Sequence, residues 1–197
     1  MPEPSLNWPL PDRRDIEERL IATYSDGRGY HDLRHLTEVL LRLDELGESG
    51  NVELVLAAWF HDAVYDGAPG AEERSARLAE SELADAGVDV TEVARLVRLT
   101  ERHDPEPGDR NGEALCDADL AILAAPAERY EEYTAGVRRE YAAVGDADFR
   151  AGRLAVLEDL ASRDALFRTA HAREHWEPGA RDNLAREIEE LRRSASS

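Results

Sequence analysis

Apolar residues recur at three- and four-residue steps along most of this chain, which is the spacing of amphipathic helices. The clearest run is Leu36, Val39, Leu40 and Leu43, and Gly47 then predicts the end of that helix. Further helices are predicted near residues 12–24, 52–61, 71–86, 89–100, 113–125, 127–144, 147–161 and 180–193. No segment shows the two-residue alternation of a strand. The pattern therefore predicts an all-α protein with about eight or nine helices.

The helix predicted from Val52 to about His61 differs from the others because its middle is apolar on every side. Asn51 precedes it as a candidate N-cap. A helix without a polar face belongs at the centre of a fold. Residues 1–11 contain four prolines and are predicted to form an N-terminal arm. Residues 12–197 have the length of one domain, so we expect a single helical bundle around the apolar helix.

The amino-acid composition of the chain limits the kinds of molecule that it is expected to bind. The 43 acidic and 24 basic residues give a net charge of -19, and every basic residue is arginine. The missing lysine excludes a P-loop and a Schiff-base enzyme. The net negative charge argues against binding to nucleic acid or to anionic membranes. No apolar run in the sequence is long enough to span a bilayer. Cys116 is the one cysteine and the N-terminus lacks a secretory apolar segment, so we expect a cytoplasmic protein.

Histidines stand beside carboxylates at two places in the chain. His61 and Asp62 end the apolar helix, where they could bind one cation together or act as a helix-terminal imidazole and a following N-cap. His31 and His35 lie four residues apart, so we expect them on one helix face. On one face, they could be two ligands of a metal ion or one ligand and one proton donor. They could also be a pair of hydrogen-bonded histidines in the core.

A third candidate lies in the segment Leu115-Cys-Asp-Ala-Asp-Leu120. Asp119 is four residues after Leu115 and three before Ile122, which places it on the apolar stripe of an ideal helix. Asp117 falls on the opposite side of that helix. The periodicity therefore predicts that Asp119 is the buried carboxylate and that Asp117 is more exposed.

Taken together, these segments resemble the HD-domain superfamily of metal-dependent phosphohydrolases. The nearest resemblance is to small bacterial proteins described as predicted HD-superfamily phosphohydrolases. The similar segments are YHDLRH, AAWFHDAVYD, GAEERSA, LTERHD, DADLAIL, VRREY, GRLAVLEDL and ARDNLAREIEEL, which together span about residues 12–193.

By this resemblance, four residues hold one divalent transition metal, which is Mn, Fe, Co, Ni or Zn: His35, His61, Asp62 and Asp119. The YHxxxH segment is similar to one in cyclic-nucleotide phosphodiesterases, which makes His31 the proton donor to the leaving oxygen. An alignment on the helix end at Gly47 would instead make His31 the first ligand.

The resemblance also implies roles for residues farther from the metal. Glu72 or Glu73 could orient the attacking water, although acids are also common in a first helical turn. His103 could bind phosphate or a second metal, or simply end a helix. Arg138 and Arg153 could bind phosphate, or pair with the many acids of this chain.

The function implied is hydrolysis of a phosphoester of a nucleotide or another small molecule by metal-activated water. One alternative is a di-iron oxygenase on the same scaffold, which requires more ligands. The other is a catalytically silent module that binds a nucleotide. Nothing in the pattern indicates a particular oligomer.

Overall fold

The computed structural model describes residues 6–194, which form ten α-helices and no strand. The all-α prediction is therefore confirmed. Two 3-10 turns, at Pro11–Arg13 and Ala121–Ala124, accompany the helices. In chain order the helices are α1 (Arg14–Tyr24), α2 (Leu33–Glu45), α3 (Val52–Phe60), α4 (Ala71–Glu82), α5 (Val90–Leu99), α6 (Arg110–Leu120), α7 (Ala127–Glu140), α8 (Asp146–Ser162), α9 (Ala170–His175) and α10 (Glu177–Ser194).

The chain divides into two compact units, Met1–Ala118 and Asp119–Ser197. The boundary lies within α6. In the first unit, α3 packs against α2, α4 and α5. Every residue of α3 from Leu54 to Phe60 is buried, which confirms the central apolar helix. The side chain of Asn51 accepts a hydrogen bond from Leu54 N (3.3 Å) and caps this helix as predicted.

The described part of the predicted N-terminal arm packs onto this core. Trp8 is buried, and its ring meets that of Trp59 edge-on with centroids 5.1 Å apart. Trp59 Nε1 in turn donates to the carbonyl oxygen of Asn7 at 2.8 Å. Residues 6–10 are therefore held by α3, while residues 1–5 of the predicted arm lie outside the described residues.

The second unit is organised around α10, which packs against α8, α9 and the 3-10 turn at 121–124. A buried ion pair joins Arg153 of α8 to Glu187 of α10, with Nε to Oε1 at 2.8 Å. Asn183 of α10 donates to the carbonyl oxygens of Leu123 (2.8 Å) and Ala125 (2.9 Å). Among the helices of residues 6–194, none is both long enough and apolar enough to cross a membrane.

Several helix ends differ from the sequence expectation. α4 ends at Glu82, four residues before the predicted end, and α7 ends at Glu140 rather than near residue 144. α9 is not predicted by the pattern, because six residues are too few to show a helical period. In contrast, Gly47 closes α2 as predicted and has a left-handed φ of 78°.

Candidate metal centre

The first ligand position is set by the start of α2. Asp32 is the N-cap, and its carboxylate accepts hydrogen bonds from the backbone N–H groups of Arg34 (2.9 Å) and His35 (3.1 Å). His35 is therefore fixed in the first turn, on the helix face that continues into the buried Val39 and Leu43. Its imidazole is 1% exposed, so it points into the unit rather than to solvent.

The other two ligand positions follow from the end of α3. His61 is the C-cap of that helix and is 1% exposed, and Asp62 is the next residue, with its side chain 13% exposed. The buried Tyr24 hydroxyl donates to the carbonyl oxygen of Trp59 (3.1 Å) and accepts from Asp62 N–H (3.3 Å). This turn is therefore anchored by α1 directly beneath the two side chains.

Three side-chain atoms converge at this point. His35 Nε2 lies 3.1 Å from His61 Nε2 and 3.4 Å from Asp62 Oδ2, and His61 Nε2 lies 3.0 Å from Asp62 Oδ2. Among residues 6–194 this is the one group of three or more side chains whose ligand atoms lie close enough to hold a metal ion. Three of the four predicted ligands are thus brought together.

The hydrogen bonding of His61 determines which of its ring nitrogens carries the proton and which has a free lone pair. Its Nδ1 lies 2.7 Å from the carbonyl oxygen of Ala58, which can only accept, so Nδ1 carries the proton. In neutral His61, Nε2 then presents a lone pair to the Asp62 carboxylate, which is also an acceptor. A proton can bridge one pair of these atoms at a time, whereas a cation at their centre satisfies all three. The donor set therefore fits a metal ion.

The separations also match a coordination sphere. Metal bonds of about 2.0–2.2 Å place neighbouring ligand atoms about 3.0 Å apart at right angles, and nearer 3.4 Å at tetrahedral angles. The three observed separations run from 3.0 to 3.4 Å. Two imidazoles and one carboxylate suit a transition metal better than calcium, and three ligands leave positions open for water and substrate.

The Asp62 carboxyl stays ionised in this environment. Burial by itself raises its pKa, but this effect is outweighed when the neighbouring imidazoles of His61, His31 and His35 carry protons, because their charges and hydrogen bonds lower the pKa. The net result is a pKa well below the usual value. A carboxylate that remains charged near neutral pH is the form that binds a cation.

The expectation that His31 and His35 share one helix face is wrong. α2 begins at Leu33 with Asp32 as its cap, so His31 lies in the turn before the helix. Its ring is still close, with a centroid 5.6 Å from that of His35, and it stacks on Tyr65 at 4.0 Å. His31 is not one of the three converging residues, and its role as proton donor stays a prediction.

The predicted burial of the two aspartates in α6 is also wrong. Asp117 is fully buried and Asp119 is half-buried. The helix is buried all round from Ala114 to Ala118, and it tightens to a 3-10 turn after Leu120, so an ideal period does not carry over to Ile122. Asp119 is the first residue of the second unit, so its role as fourth ligand stays a prediction.

The acidic pair and His103 lie at helix ends. Glu72 and Glu73 occupy the first turn of α4. Glu73 accepts from Arg98 of α5 (2.5 Å) and from Arg77 (2.8 Å). His103 lies in the turn after α5 with a left-handed φ of 50°, and its N–H donates to Leu99 O at 3.0 Å. Their catalytic and substrate-binding roles stay predictions.

Both arginines predicted to bind phosphate lie in the second unit and have protein partners. Arg138 donates to the carbonyl oxygens of Tyr141 (2.6 Å) and Val144 (3.1 Å) after α7. It also pairs with Asp146. Arg153 donates to both carboxylate oxygens of Glu187 (2.8 and 3.0 Å) and to the hydroxyl of Tyr133 (2.9 Å). Phosphate binding by either residue stays a prediction.

Comparison of the chain with known proteins finds no match. No protein-family model matches the sequence, and neither a curated protein nor a solved structure matches it. The HD-domain resemblance therefore stays an expectation drawn from the quoted segments.

Sequence reasoning missed the residues that hold the ligands in place, which are Asp32, Tyr24 and Arg28. Asp32 carries a usable signal, since an aspartate directly before an apolar helical run is typical of an N-cap. Applied here, that rule moves His31 off the helix. Tyr24 and Arg28 give no such signal, because the backbone atoms that they bind after α3 are more than thirty residues away in the chain.

The ion pairs of Glu73 predict a pH dependence of stability. Hydrogen bonds from Arg98 and Arg77 lower the pKa of Glu73 from 4.5 to about 2. A lowered folded-state pKa stabilises the protein above pH 4.5, and this contribution is lost as the pH falls towards 2. Urea midpoints of wild type and Glu73→Gln should therefore differ most at neutral pH and converge below pH 4.5. A difference that stays constant across this range would contradict the ion pairing.

The buried pair in the second unit predicts a structural effect of Arg153. Both side chains of the Arg153–Glu187 pair are about one-tenth exposed (10% and 11%), so Arg153→Met would leave a buried carboxylate without its cation. We expect a loss of about 3 kcal/mol in the free energy of unfolding. Arg193→Met is the control, because Arg193 and its partner Glu189 are 69% and 74% exposed, and it should cost less than about 1 kcal/mol. Equal losses in urea unfolding would contradict this account.

Proposed function

We propose that this chain is a metal-dependent hydrolase that cleaves a phosphoester of a small molecule, such as a nucleotide. The observation that carries the proposal is the convergence of His35 Nε2, His61 Nε2 and Asp62 Oδ2 within 3.0–3.4 Å of one another. The fixed proton on His61 Nδ1 adds to it, because it leaves that imidazole ready to bind a cation.

A divalent metal bound there would lower the pKa of a water ligand and polarise a phosphoryl oxygen. His35, His61 and Asp62 would hold it, and three protein ligands would leave coordination positions for water and substrate. The resemblance assigns the fourth ligand position to Asp119, which is not one of the three converging residues.

His31 is the proton donor in this proposal. As water attacks phosphorus, the bond to the leaving oxygen breaks, and this oxygen takes a proton from the His31 imidazolium. The stacked Tyr65 ring restrains the orientation of the imidazole.

The negative charge of the chain is compatible with an anionic substrate. The net charge of -19 belongs to the whole chain, and many of its carboxylates are already paired with arginine, as Asp66 is with Arg74. A bound divalent cation reverses the sign of the potential locally. A small phosphorylated substrate is therefore favoured over a polyanion, which would also meet the acidic exterior.

The experiment is a phosphate-release assay on untagged protein loaded with Mn²⁺, Co²⁺, Ni²⁺ or Zn²⁺. The substrates are p-nitrophenyl phosphate, its diester and a panel of nucleotides. We expect turnover with at least one metal, and its loss in His61→Ala. His31→Gln should lower kcat by about 10²- to 10⁴-fold, because a general acid is removed, while the metal content is unchanged.

The control is His175→Gln, which removes an exposed imidazole of the second unit and should leave kcat unchanged. Turnover that survives in His61→Ala would contradict the proposed site. Oxygen consumption by an iron-loaded form without phosphate release would favour an oxygenase. Nucleotide binding without turnover in any metal would favour a silent binding module.

A further inference from the structure

Two irregular segments meet at the metal centre, and neither is held by its own secondary structure. The first, between α1 and α2, carries His31 and turns at Gly27, whose φ of 65° is left-handed. The second follows α3 and carries Asp62. A proton donor and a ligand that must act together are thus placed on separate turns, 31 residues apart in the chain.

Arg28 joins these two turns through its guanidinium group. Its Nη1 donates to the carbonyl oxygens of His31 (2.8 Å) and Asp62 (2.6 Å), and Nη2 donates to that of Ala63 (3.1 Å). The planar fork of arginine can reach several acceptors at fixed angles, which a lysine ammonium could not do in the same way.

The same guanidinium lies over the ring of Tyr24, at 4.7 Å from its centroid. Tyr24 accepts from Asp62 N–H while Arg28 donates to Asp62 C=O, so both backbone polar groups of this ligand are bound by neighbouring side chains. The Asp62 carboxylate is then the part of the residue left to bind a cation.

An ordinary helix cap would explain only part of this arrangement. The carbonyls of Asp62 and Ala63 follow the C-terminus of α3, where a cation is favoured. The bond to His31 O is a contact within the segment before α2, because Arg28 and His31 are three residues apart, so one guanidinium holds its own segment and also reaches the turn after α3. We propose that Arg28 is a positioning residue, which holds the turn of His31 against the turn of Asp62 so that proton donor and metal ligand keep one geometry.

This inference rests on the proposed function for its catalytic meaning, but its structural part can be tested separately. The variant is Arg28→Gln, and the matched control is Arg181→Gln. Arg181 of the second unit also makes three hydrogen bonds, to a carboxylate oxygen of Glu177 (2.7 Å) and to the carbonyl oxygens of Ala161 (2.8 Å) and Arg163 (2.7 Å). Arg28→Lys tests whether a positive charge alone is enough.

Two readouts are measured on the full chain: amide hydrogen exchange by mass spectrometry, and Mn²⁺ affinity by calorimetry. In Arg28→Gln we expect faster exchange at residues 29–33 and 61–64, and Mn²⁺ binding weakened about tenfold, the scale of losing a group that orients a ligand. Arg28→Lys should not restore the affinity. Arg181→Gln should speed exchange only within the second unit and leave Mn²⁺ binding unchanged.

Each outcome decides the proposal. Unchanged exchange in both turns would overturn it, and so would faster exchange with wild-type Mn²⁺ affinity, which would reduce Arg28 to a structural contact. If the wild type binds none of Mn²⁺, Co²⁺, Ni²⁺ and Zn²⁺, the proposed function fails, and the exchange of the two turns alone decides whether Arg28 holds them together.

Discussion

The end of α3 is the constraint on which the rest of the first unit depends. A helix buried on every side finishes in an imidazole and a carboxyl group that have little access to water. Burying such groups without partners would cost several kcal/mol. The surrounding elements therefore supply partners: a carbonyl of α3 itself, the imidazole of α2, and the hydroxyl and guanidinium of Tyr24 and Arg28. These contacts fix where α1 and α2 meet α3.

The same constraint leads from structure to chemistry. Once the backbone groups of the turn and His61 Nδ1 have protein partners, three ligand atoms still face one another with more lone pairs than protons. A divalent cation at their centre would resolve this excess, and the hydrolysis that we propose would use the coordination positions left open. His31, on the neighbouring turn, is near the site without belonging to the ligand set.

Arginine serves two purposes in this lysine-free chain. On the surface it pairs with acids, as Arg95 does with Glu92 and Asp109. At helix ends it donates to backbone carbonyls, as Arg28, Arg138 and Arg181 do. Both uses depend on the planar guanidinium group, which has several hydrogen-bond donors. Through its bonds to backbone carbonyls, an arginine can hold a turn in place.

Local patterns predicted what depends on local physics. The helical period predicted the all-α fold, Asn51 the start of α3, and the pair His61-Asp62 the position of two of the converging ligands. The errors occurred where a helix departs from the ideal. His31 precedes α2 because Asp32 caps it, and Asp119 is more exposed than Asp117 because α6 tightens into a 3-10 turn. The role of Arg28 could not be predicted, since the carbonyl oxygen of Asp62 that it binds lies 34 residues away in the chain.

The most direct test of the central claim is the metal content of untagged protein, measured by plasma mass spectrometry in wild type, Asp62→Ala and Asp66→Ala. Asp66 is an exposed carboxylate paired with Arg74, and it serves as the matched control. We expect about one transition metal per chain in wild type and in Asp66→Ala, and none in Asp62→Ala. No metal in the wild type, and none taken up on dialysis against Mn²⁺ or Zn²⁺, would contradict the metal centre.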